Sequence, residues 1–255
     1  MIKTIFYKKG KLFFLIFVLL IPLLSCAPSV QQIKEANIHY EMGVLYYREG
    51  DFIRALQELV KASEINPNDK HIWNALGLAY RERKLYKEAE ESFKRAINID
   101  DKFSDAYNNL GVLYLQQNKN QEAIKAFQEA VKNIFYTTPE YAYNNMGLAY
   151  QNLKNYIDAE KSYKEAVILN PSFVPAYINL AKLYMEQNRL IDAEKLLLKF
   201  LSVFENDVEG NFIIAKLYFS KGDLEKAKTY FEKVLKLDPR GPFSGLAKSY
   251  LEGIK

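Results

Sequence analysis

Small, aromatic and apolar residues recur along this chain at a fixed period, and the period predicts the elements. A small residue stands at Gly43, Gly77, Gly111, Gly147, Ala181 and Ala215, in steps of 34, 34, 36, 34 and 34. Three positions later there is always a tyrosine: Tyr46, Tyr80, Tyr114, Tyr150, Tyr184 and Tyr218. Twelve positions after the small residue there is always an alanine: Ala55, Ala89, Ala123, Ala159, Ala193 and Ala227. Gly50, Asn118, Asn188 and Gly222 fall between these two landmarks. Gly and Asn tolerate the left-handed conformation that ends a helix. Each period therefore predicts two helices and a tight turn. Pro67, Pro171 and Pro239 close units by stopping the second helix. The small residue and the alanine let the two helices of a hairpin approach. The tyrosines and the series Phe93, Phe127, Tyr163 and Phe231 fill the space between units. The units run 36–69, 70–103, 104–139, 140–173, 174–207 and 208–241, and residues 242–255 form one more short amphipathic helix. Stacked repeats expose an apolar end that such a helix covers, so the units form one interdependent domain.

The second unit, WNALGLAY…AEESFKRAI, holds Trp73, Leu76, Gly77, Tyr80, Ala89, Phe93 and Ala96. It resembles the tetratricopeptide repeat (TPR), and the likeness extends over residues 36–241. The resemblance implies an all-α fold: a right-handed α-solenoid of six TPR helix-turn-helix repeats with a C-terminal capping helix. It also implies protein–protein binding through a concave wall lined by the first helices.

Composition agrees with a globular chain, at 49% hydrophobic and 26% charged. The formal net charge of +4 comes entirely from Lys3, Lys8, Lys9 and Lys11, since the remainder holds 31 basic and 31 acidic residues. A neutral body has no electrostatic footprint for nucleic acid, whose binding rests largely on phosphate neutralisation. The four lysines belong to a start that reads MIKTIFYKKGK, then LFFLIFVLLIPLL, then SCAPS. Its apolar run of 13 residues is shorter than the roughly 20 of a membrane span and has the form of a signal peptide. The only cysteine, Cys26, follows Leu23-Leu24-Ser25, and that tetrapeptide resembles the lipobox of bacterial lipoproteins. The resemblance implies a signal peptide over 1–25, a lipidated Cys26 and a tether over 26–35. Ala27, rather than Asp, implies the outer membrane, with the chain lipid-anchored and facing the periplasm.

Chemistry is sparse. His39 and His71 lie on adjacent first helices without a further ligand, so no metal site and no cofactor are expected. No phosphate loop, nucleophile elbow or other catalytic constellation appears, and neither enzyme activity nor a small-molecule substrate is expected. Glu88, Glu90, Glu91 and Lys94 read as a solvated helix face. The candidate partner-binding groove falls just before and after the small residue. Tyr40, Asn74, Asn108, Asn144, Ile178 and Phe212 hold one register position, and Asn109, Asn145 and Asn179 hold the next. Asparagine both donates and accepts, so such a row suits an extended peptide backbone. Tyr40 and Tyr47 at one end, and Phe212 and Phe219 at the other, add apolar pockets, and Arg48 and Arg81 are cations toward the first end.

The layout narrows the family. A lipobox, six repeats and one lengthened junction, Asn133-IFYTTPEYAYNNMG-Leu148, resemble the type IV pilus biogenesis lipoproteins, or secretin pilotins. In that family a Tyr and a Pro precede the helix after the third repeat, as Tyr136 and Pro139 do here. The resemblance implies a protein partner in the groove, the pilus secretin, whose localisation or assembly the chain assists. A generic TPR lipoprotein adaptor for cell-wall enzymes or envelope protein assembly remains the alternative. Phe200 and the two small-position alanines depart from the repeat pattern at the last repeats.

Overall fold

A computed structural model describes residues 28–254. The expected signal peptide over 1–25 and the expected lipidation at Cys26 fall outside the described residues. Those described form thirteen helices and no strands. They are α1 (Val30–Arg48), α2 (Phe52–Ile65), α3 (Lys70–Glu82), α4 (Tyr86–Ile99), α5 (Ser104–Gln116), α6 (Asn120–Lys132) and α7 (Pro139–Asn152). Then come α8 (Tyr156–Leu169), α9 (Val174–Glu186), α10 (Leu190–Leu201), α11 (Val208–Lys221), α12 (Leu224–Leu237) and α13 (Ser244–Gly253). This is the all-α repeat fold, two helices per period, followed by the C-terminal helix. The chain divides into two compact units, one ending at Lys84 with α1–α3, the other from Leu85 onward with α4–α13.

The landmark residues do what their sizes require. A Cβ placed on Gly111 would stand 2.5 Å from the Phe127 ring, and one on Gly147 would stand 2.6 Å from the Tyr163 ring. The alanine series is fully buried in every repeat. The turn residues Gly50, Asn118, Asn188 and Gly222 all have positive φ. So do Lys84 and Lys154, which hold the same register position with a side chain that disfavours it. Proline follows α2, α8 and α12 within two residues of the helix end. The aromatic donors Trp73 and Tyr177 then bond the Pro67 and Pro171 carbonyls, at 2.8 and 3.2 Å.

Helix α1 takes in residues 30–35 of the span 26–35. Ser29 accepts from the Gln32 amide while the Gln32 side chain accepts from the Ser29 amide, a reciprocal capping box. Residues 30–35 are thus the first turns of α1, and among the described residues only 28–29 precede it.

Candidate functional site

In the first unit, α1 and α3 stand side by side over α2 and leave a cleft of about 270 Å³ between them. Tyr40, Tyr47 and Arg48 of α1 face Asn74 of α3 across it, and Val44 and Leu59 are among its apolar lining residues. Four of the sequence-predicted residues are therefore brought together. Burial pushes the phenols of both Tyr40 and Tyr47 above their ordinary range, against the opposing effect of Arg48 and Arg81 respectively. Both remain neutral hydrogen-bond donors at physiological pH. Arg48 is exposed and has no ion-pair partner among the described residues. Arg81 is mostly buried and bonds the neighbouring Glu82 at 2.9 Å. The cleft can thus take an apolar side chain, bond its backbone through phenols and an amide, and meet a carboxylate with Arg48. Sequence reasoning missed the apolar lining, Val44, Leu59 and Leu78. Their signal was present, because each follows a groove residue by one helical turn or belongs to the apolar face of α2.

In the second unit the asparagine row is not an open surface. Asn144 is buried, and its Oδ1 accepts from Asn179 Nδ2 at 2.9 Å. Asn108, Asn109 and Asn145 are half-buried, and the Oδ1 of Asn108 has no hydrogen-bond partner among the described residues. Ile178 and Phe212, expected at the same exposed register, are buried. Phe212 packs on Phe231, Phe243 and Tyr250, and Phe219 packs on Tyr250. Helix α13 fills the aromatic end that the sequence suggested as an open pocket. The lengthened junction buries Tyr136 partly and leaves Ile134 and Phe135 at the surface. Asn133 pins it by donating to the Lys102 carbonyl at 3.0 Å.

The charged faces also carry more structure than solvation. Tyr114, Tyr184 and Tyr218 each donate to a glutamate 24 residues earlier, Glu90, Glu160 and Glu194, at 3.0, 3.0 and 2.9 Å. Glu90, expected on a solvated face, is instead largely covered and joins α4 to α5. Each glutamate also meets a cation three to five residues after the tyrosine: Lys119, Arg189 and Lys221. Burial opposes ionisation of Glu160, but hydrogen bonds from Arg189, Lys164 and Tyr184 outweigh it and hold the carboxyl at about 2. His39 bonds Glu58 at 2.6 Å and ties α1 to α2. Among the described residues no group of three or more His, Cys, Asp or Glu could hold a metal.

Tetratricopeptide-repeat families match residues 36–69, 104–133, 140–173, 174–207 and 208–240, and a further TPR repeat family matches 77–118. The chain belongs to the tetratricopeptide-repeat proteins, a class that binds protein partners. An uncharacterized protein of Methanocaldococcus jannaschii is 38% identical over 63 residues, which are 25% of this chain and 73% of that one. Among solved structures, Pseudomonas aeruginosa PilF is similar with a TM-score of 0.72 at 20% identity, over 88% of this chain and 100% of that one. PilW, described as a widely conserved type IV pilus biogenesis factor, is similar with a TM-score of 0.73 at 24% identity, over 84% and 98%.

Proposed function

We propose that this chain is a lipoprotein of the outer membrane, facing the periplasm, whose repeats hold a segment of the type IV pilus secretin while that ring localises or assembles. The reading is of a scaffold, not an enzyme. The observation that carries it is the cleft of the first unit, where Tyr40, Tyr47, Arg48 and Asn74 surround an apolar lining. A preformed groove of this kind suits a helical or extended segment that lays one or two anchors into it. The choice of a pilus partner is supported by the nearly end-to-end likeness to PilF and PilW. The lipobox at Leu23–Cys26 supports the anchor.

Tyr47→Ala and Arg48→Ala should each cost about 1–2 kcal/mol of partner affinity if the anchors act as interface centres do. In a strain that makes type IV pili, the paired variant should lower secretin multimers, while the purified protein keeps its helicity by circular dichroism. Normal multimers and normal twitching in a deletion strain would sink the pilus reading and favour the generic adaptor, with the repeat fold untouched.

A further inference from the structure

Three positions of α1 break the burial pattern that the other first helices obey. Ile38, Met42 and Leu45 are 58%, 38% and 53% exposed. At the register of Met42 the later repeats hold Leu76, Leu110, Met146, Leu180 and Ile214, none more than 6% exposed. At the register of Leu45 they hold Ala79, Leu113, Ala149, Leu183 and Leu217, all 0% exposed. What covers these faces is the second helix of the preceding repeat: α2 on α3, α4 on α5, α6 on α7, α8 on α9 and α10 on α11. No described helix covers α1 in that way. Ile38, Met42 and Leu45 follow spacings of four and three, so they form one stripe on the helix. Repeat proteins need a polar cap at each end, and this end presents an apolar face instead.

We propose that this stripe rests on the lipid bilayer that carries the Cys26 acyl chains. The inference depends on the lipoprotein reading above and adds a second membrane contact to it. The length of the tether selects the occupant. Three residues, 27–29, separate Cys26 from the first residue of α1. Fully extended, that span reaches at most about 14 Å. The stripe begins only about 12 Å further along the helix axis. A chain held that close meets the bilayer at a high effective concentration. Exposed Lys34, one turn before Ile38, can reach headgroup phosphates while its stem covers apolar surface. Exposed Glu35 and Glu41 flank the same face, so the contact rests on buried apolar area beside the acyl anchor and not on net charge, and acyl anchors gain from such a second contact. At about 100° per residue, Tyr40 and Tyr47 project from the opposite side of α1 to Met42 and Leu45. Seating the stripe on lipid would therefore turn the cleft away from the membrane, toward the periplasm.

The test uses the protein purified with its own lipid in vesicles containing brominated phospholipid. Leu45→Trp, read above the constant signal of Trp73, the one native tryptophan, should be quenched at least about twofold more than Ile191→Trp, as for a side chain within the interface. An unquenched Leu45→Trp in protein that floats with the vesicles overturns the proposal. Intact mass showing an unmodified Cys26 would remove the lipoprotein reading. The contact is then tested by coupling the lone cysteine to a maleimide phospholipid, where quenching upholds the lipid-facing stripe and its absence overturns it. A concentration-dependent dimer of the Cys26→Ser chain in light scattering, abolished by Leu45→Lys, would assign the face to a second copy and also overturn the proposal.

Discussion

At the scale of single residues, three tyrosines of the repeat series, Tyr114, Tyr184 and Tyr218, link repeats through a charge. A phenol of one repeat donates to a glutamate of the repeat before it, and a lysine or arginine three to five residues after the tyrosine completes the triad. Hydrogen bonds to charged groups contribute about 1.5–3 kcal/mol when largely covered. The glutamate stands one residue after the alanine landmark in repeats 2, 4 and 5, where repeats 1, 3 and 6 have Leu56, Ile124 and Lys228. In repeat 4, Glu160→Gln should lower stability by about 1–3 kcal/mol at neutral pH. The folded-state carboxyl lies at about 2, below its ordinary 4.5. Its contribution is therefore complete above pH 4.5 and is lost as pH falls toward 2. Urea midpoints of the parent and of Glu160→Gln should converge over that interval. A gap independent of pH would show that packing, and not the carboxylate, holds this junction.

At the scale of elements, one departure from the repeat is matched by another. In repeats 2 to 4 the second helix presents Ala96, Ala130 or Ala166 to a first helix that answers with Ala106, Ala142 or Ala176, all of them buried. In α10 the alanine becomes Phe200, 1% exposed, and in α11 the answering residue becomes Gly210. A Cβ at Gly210 would lie 2.5 Å from the Phe200 ring. The two changes conserve the volume between the helices, so they should couple. Gly210→Ala alone should cost about 1–3 kcal/mol by overpacking, and Phe200→Ala alone about 3–5 kcal/mol by cavity formation. The double variant restores the Ala–Ala pairing of the other repeats and should cost clearly less than the sum. Thermal or denaturant melts of the four proteins measure that cycle. Simple additivity would mean that the two positions do not share one space.

At the scale of the molecule, the two ends of the described chain are finished differently. The C-terminal end is closed by α13, whose Tyr250 stacks on Phe231 at 4.8 Å and meets Phe212 and Phe219 edge-on. Truncation after Gly241 would uncover Phe212 and Phe231, each worth about 1.5–3 kcal/mol of burial. Repeats exchange contacts mainly with their neighbours. The truncated chain should therefore show fast amide exchange through α11 and α12, with α6 and α7 little changed. Uniform loss of protection would argue for one cooperative block instead. The N-terminal end has no such described helix, and its apolar stripe is the feature most in need of a partner. A repeat fold specifies a surface and not the identity of what binds it.

The spacing of small, aromatic and alanine residues determined the helix pairs, the turns and the terminal helix by itself. These follow from local rules: helical period, left-handed turns, proline stops and close approach at small residues. It also determined the neutral body and the lone Cys26 behind its apolar run. Tertiary structure alone decided which residues of one register line a cleft. Tyr40 and Asn74 border an open cleft, whereas Asn144 is buried against Asn179 and Phe212 lies under α13. Register sets the direction in which a side chain leaves its helix. Whether that direction ends in solvent depends on what the neighbouring repeat places there, and residues distant in sequence supply it.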